Sequence, residues 1–125
     1  MKIYLSLVTI ILLVSCNQST NSNSFDRTYS ENIGIDRSTA AGERLYQAYT
    51  ALKNNCMSCH SGYHNTWSSY NTSQAWINAG LVESNDAYAS SIIIRLKNIG
   101  GNMPKDNPQI PEEDFDKIIE WIEGI

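Results

Sequence analysis

Two thiols and an imidazole fall within five residues, Cys56-Met57-Ser58-Cys59-His60. That C-x-x-C-H spacing is the attachment signature of a c-type haem. Each thiol can add to a porphyrin vinyl group and become a thioether. The two-residue gap sets the sulfurs about one helical turn apart, within reach of one ring edge. His60 follows at once and offers its imidazole nitrogen to the iron. A C-x-x-C pair also serves as a redox dithiol or as half of a zinc site. Zinc needs two further ligands, and the chain has only His64 left among its histidines and no second cysteine pair. The βαβ surroundings of a thioredoxin-like dithiol are missing too. One covalently held haem c is therefore the expected cofactor.

The third cysteine, Cys16, lies at the end of a different kind of segment. Residues 1–15 hold Lys2 and then an apolar run from Ile3 to Val14, interrupted by Ser6 and Thr9. The run is short for a bilayer span but fits the apolar region of an export signal. It closes on Leu13-Val14-Ser15-Cys16, which resembles a bacterial lipobox, whose cysteine is lipidated and becomes the first mature residue. That resemblance implies periplasmic or cell-envelope localisation and a lipid anchor in a membrane, inner or outer left open. Position 17 is asparagine, so an inner-membrane retention aspartate is absent.

A bounded length and a mild charge restrict the rest. The 125 residues allow one domain, and 9 basic against 13 acidic side chains give a net charge of −4. The basic residues are scattered, so no nucleic-acid partner is expected. Removing residues 1–15 takes away Lys2 alone among charged groups and leaves a net −5. Residues 16–35 open with Asn17 to Ser24, a polar stretch without periodicity that reads as a flexible tether. Twenty such residues reach ~25 Å in root-mean-square terms.

A folded domain is expected over residues 36–125. Ser38 or Thr39 can cap a first helix, in which Ala41, Leu45, Ala48, Tyr49 and Leu52 form one stripe ending at Asn54-Asn55. Residues 61–72 are polar and aromatic and read as a loop around the cofactor edge. His64 sits too near His60 to reach the opposite face of a haem, and reads as a polar surface or propionate-binding group. Ser73 is a candidate cap for a short helix over 74–79, closed by Gly80. Trp76 in that helix is a candidate to pack on the porphyrin or to donate to a propionate. A third helix is expected from Asp86 through Lys97, with Ala89, Ile92, Ile93 and Leu96 on one face. Arg95 on it can pair with a propionate or remain a solvated arginine.

Gly100-Gly101-Asn102-Met103-Pro104 is a loop stiffened by its proline. Met57 lies inside the haem motif and Met1 leaves with the leader, so Met103 is the free thioether of the mature chain. A thioether on a rigid loop suits the sixth position of a haem iron. Pro111 and the acids Glu112, Glu113 and Asp114 then open a last helix, with Phe115, Ile118, Ile119, Ile122 and Trp121 facing the core. That face is expected to close the haem crevice. From Asp106 to Ile125 seven acids stand against Lys117 alone, which reads first as a solvated face and second as a lure for a basic partner.

Together these segments resemble a class I monohaem cytochrome c of the bacterial periplasmic kind. The resemblance rests on the C-x-x-C-H run, on Met103-Pro104, and on Gly42 and Tyr46 in the helix leading into the motif. It rests also on Ser90-x-Ile92-x-x-Arg95-Leu96 and on the ending Trp121-Ile122-Glu123-Gly124. Relatives place serine where this chain has Pro111. The resemblance implies an all-α fold of three to five helices around one covalent haem, and one-electron transfer to protein partners not identified by the sequence. His60 and Met103 would be the axial ligands, and no catalytic residue is implied. The readings from other classes are a dedicated electron-accepting subunit of a periplasmic oxidoreductase, a sensor or peroxidase-type protein with an open sixth site, and a haemless structural lipoprotein.

Overall fold

The computed structural model describes residues 33–62 and 64–125. The leader, the lipidation site at Cys16 and most of the expected tether lie outside the described residues. Among these residues the fold is all-helical, with four α-helices, two 3-10 turns and no strand.

Helix α1, Ala40–His60, is the spine of the domain. Thr39 caps it, accepting a hydrogen bond from the Gly42 N–H at 3.0 Å. Arg37 reaches Glu43 at 2.7 Å and lays its guanidinium 3.8 Å from the centre of the Tyr46 ring. Leu45, Tyr46, Ala48, Tyr49, Ala51 and Leu52 form the buried face. Ala41, expected at the head of that stripe, is exposed because it lies in the first turn, before the helix meets the core. At Gly42 the close neighbour is the incoming chain, where a Cβ would stand 1.7 Å from the Asp36 carbonyl oxygen. The core also begins slightly before Asp36, since Ile35 is buried and Ile33 packs against it.

Helix α2, Ser73–Asn78, is capped by Thr72, not by Ser73 as expected. It ends in a Schellman turn: Leu81 N–H donates to Trp76 O, Gly80 N–H to Ile77 O, and Gly80 takes the left-handed φ of 67° that favours glycine. Helix α3 is only Ser91–Arg95, shorter than the 86–97 expected. The reason lies in Ser90, fully buried, whose hydroxyl donates to Asp86 O and accepts from Glu83 N–H. Those bonds, with Asp86 capping Ala89 N–H, wind residues 83–90 into turns. Ala87 is buried there and Ala89 exposed, the reverse of the helical expectation. After α3 the chain turns through Lys97–Ile99.

Helix α4, Glu112–Glu123, makes the principal helix contact, packing on α1 through Phe115, Ile118, Trp121 and Ile122. Pro111 occupies its N-cap position without a side-chain hydrogen bond, and the three acids of the first turn complement the helix dipole. Asn55 ties the two helices together by donating to Asp114 Oδ2 at 2.8 Å. The outcome is a two-helix frame against which α2 and the turns before α3 pack, with Trp121 N–H donating to Ser73 Oγ and Ala87 N–H to Glu123 Oε1.

Candidate functional site

Helix α1 does not stop at Asn55. It runs through the whole C-x-x-C-H motif, so Cys56 and His60 stand one turn apart on one face and Cys59 lies beside them. The apolar stripe ends where expected, but the backbone hydrogen bonds continue for one more turn. That continuation aims the thiols and the imidazole from a rigid element.

Beside this last turn is a cavity of about 590 Å³, of ordinary ligand-site size. Helix α1 contributes Leu52, Cys56 and His60; the following loop adds His64 and Trp67; α2 and its Schellman turn add Trp76 and Leu81. Ile92, Arg95 and Leu96 form the next side, and Met103 closes the circuit. A smaller space of about 200 Å³ adjoins it, sharing Cys56, His60, Leu96 and Met103 and reaching Cys59, Pro104 and Lys105. The motif and Met103, forty-odd residues apart in sequence, thus border the same space.

The walls are apolar and aromatic. Trp76 is 1% exposed. Its indole N–H donates to Tyr70 O at 3.1 Å, so its donor is engaged by the backbone and its ring is what it offers the cavity. Trp67, Tyr70 and Trp121 surround it with ring centroids at 5.9, 5.6 and 5.4 Å. Helix α4 does not line the cavity, contrary to expectation; Trp121 stands behind Trp76, its own N–H held by Ser73 Oγ at 2.9 Å. Leu81 was not singled out from the sequence. Its signal is the helix-ending Gly80, because the residue after such a glycine commonly docks apolar against the helix it leaves.

Met103 is fixed through its backbone. Its N–H donates to Arg95 O at 2.9 Å and its carbonyl accepts from Lys97 N–H at 2.6 Å, an isolated bridge between Leu96 and Met103. Gly101 N–H adds a bond to Leu96 O. A Cβ on Gly101 would come within 2.2 Å of Arg95 O, so this approach requires glycine. The Met103–Pro104 bond is cis.

Burial pushes the Cys56 thiol up to about 11, with Cys59 adding to the rise. Cys59 is exposed. Among the described residues no three His, Cys, Asp or Glu side chains converge to hold a bare metal ion, so zinc has no site beside the cysteine pair. The donor set fits a haem instead: two thiols at i and i+3, an adjacent imidazole, a thioether and apolar walls.

Residues 37–122 match the family model described as cytochrome c oxidase, cbb3-type, subunit III. The chain belongs to this cytochrome c family. No curated protein and no solved structure matches the chain. A cytochrome c domain carries a covalently bound c-type haem, and Cys56 and Cys59 are in place for it. The family also implies haem-based electron transfer, and the helical fold is that of a small cytochrome c domain.

Proposed function

We propose that this cytochrome c domain is a monohaem, class I one-electron carrier, with His60 and Met103 as the two axial ligands and a lipid anchor at Cys16. The haem, when attached, supplies the Fe(II)/Fe(III) couple. The observation that carries the reading is that Cys56, His60 and Met103 border one apolar cavity. His60 extends from the end of a 21-residue helix and Met103 from a loop hydrogen-bonded on both sides, so neither ligand needs to move between oxidation states. A thioether ligand and exclusion of water by Leu52, Leu81 and the tryptophans both favour the reduced ion and raise the potential. Arg95 stands exposed at the cavity edge, where a guanidinium suits a propionate. The lipobox and the polar tether support a carrier held at a membrane on the periplasmic side.

The test is the ferric optical spectrum of the matured protein together with Met103→Ala. The expected result is a weak far-red methionine-to-iron band in the wild type and its loss in the variant, with CO binding to the reduced variant becoming fast. A wild type without that band, already binding CO rapidly, would make the protein a sensor or catalyst with an open site.

The family name supports a second reading, that the domain is a dedicated electron-accepting subunit of an oxidoreductase. Purification of the lipidated protein in mild detergent separates the two. A stoichiometric oxidoreductase partner favours the subunit, and a lone cytochrome favours the carrier.

A further inference from the structure

The backbone bridge at Leu96 and Met103 accounts for the first half of the methionine loop, but the second half needs another support. Lys105 to Gln109 are all exposed, and Asp106 adopts a φ of 61°. Within this arc the hydrogen bonds are Asn107 N–H to Pro104 O at 3.5 Å and Asn107 Nδ2 to Lys105 O at 3.2 Å. The chain regains the core at Ile110, which is 2% exposed. Two consecutive side chains on the 3-10 turn bridge this gap. Lys97 Nζ donates to Asn107 O, and Asn98 Nδ2 donates to Ile110 O at 3.1 Å.

Asn98 has a further distinguishing feature. Its Oδ1 is buried with no hydrogen-bond partner. Turning the amide over would set that oxygen against the Ile110 carbonyl oxygen, so the bond to Ile110 fixes the orientation. A buried amide oxygen without a partner costs stability, so Asn98 is a poor choice for packing alone. Its value lies in the donor.

We propose that Lys97 and Asn98 are positioning residues that clamp the exposed arc and thereby hold the Met103 sulfur over the cavity. The inference rests on Met103 being the sixth ligand. Lys97 takes part at two levels: its N–H holds Met103 O, and its ammonium holds the far side of the loop at Asn107. Asn98 sets where the arc rejoins the core. With both bonds made, opening of the loop must break contacts on each side of Met103. With either removed, the arc is free to swing and the thioether leaves the iron more often.

CO binding to the reduced holoprotein reads this directly, because CO enters only when the methionine has left. Asn98→Ala and Lys97→Met should each raise the CO-binding rate about three- to tenfold, the population shift expected for one net hydrogen bond. Lys97→Arg, which keeps a donor, should bring the rate back toward wild type. Ser84→Ala serves as the control, since it removes a bond to Ile125 O far from the loop and should leave the rate unchanged. Wild-type rates in Asn98→Ala and Lys97→Met, with Met103→Ala fast, would overturn the clamp and leave the ligand intact. A rise in Ser84→Ala as large as theirs would also overturn it, by showing general loosening. Met103→Ala no faster than wild type would instead remove the ligand assignment on which the clamp rests. Far-ultraviolet circular dichroism identifies any variant that fails to fold; for such a variant Asn98→Leu, or Lys97→Leu, which also lack the donor, replaces it in the same comparison.

Discussion

Cys56 and Cys59 are separated by two residues yet live in different surroundings, one facing the cavity and the other open to solvent. In the haem-free chain the folded state keeps the Cys56 proton up to about 11, against an ordinary value of 9.0. Folding therefore favours the neutral thiol, and stability from this group falls as pH rises through that interval. Mildly basic alkylation of the haem-free protein should label Cys59 well before Cys56; equal rates would show that Cys56 is not shielded. At the same scale, Trp76 illustrates what residue type alone cannot reveal. Its ring was expected near the cofactor and lines the cavity, but its N–H belongs to Tyr70 O.

Elements turn these residues into a site. Helix α1 and helix α4 were legible from apolar spacing, because both bury one face against a single partner. Helix α3 was legible only in its second half, because Ser90 diverts the preceding backbone into turns through bonds of its own. The continuation of α1 through the motif agrees with the helical-turn spacing of its cysteines, and Asn55 fits inside the helix because its amide donates to Ala51 O and to Asp114 Oδ2. The cysteine pair and the proposed ligands His60 and Met103 were readable from types and spacing as neighbours of one cavity and the space adjoining it. The walls were only partly so: Arg95 was named as a propionate candidate and does line the cavity, whereas Leu81 is brought there by a Schellman turn, which leaves a weak mark in a sequence. The loop carrying Met103 depends on the close approach at Gly101. Gly101→Ala should destabilise the domain by ~1–3 kcal/mol, in the range of a forced backbone shift, and weaken the far-red band. Thermal melting with the spectrum followed in parallel checks this; an unchanged band in a folded variant would mean that the loop tolerates a wider gap.

On the scale of the whole molecule, a domain of ninety-odd residues gains little from protein core alone, and the aromatic cavity beside α1 is shaped for a large apolar group that completes it. Among the described residues no helix is long and apolar enough to cross a membrane. The proposed attachment is through Cys16, ahead of the described domain. Cys16→Ser should release cytochrome into the soluble periplasmic fraction with its spectrum unchanged; retention in the membrane would count against lipidation. The first-turn acids of α4, Glu112, Glu113 and Asp114, complement the helix dipole, and Lys117 bridges Glu113 and Asp114 at 2.8 and 3.2 Å.

The most direct test of the carrier assignment is a potentiometric titration of the matured protein with optical spectra recorded at each potential. A single haem between His60 and Met103 gives one reversible one-electron transition, with the far-red methionine band present at the oxidised end and vanishing in step with it. Two transitions, or an oxidised spectrum lacking that band, would contradict a single haem held between His60 and Met103.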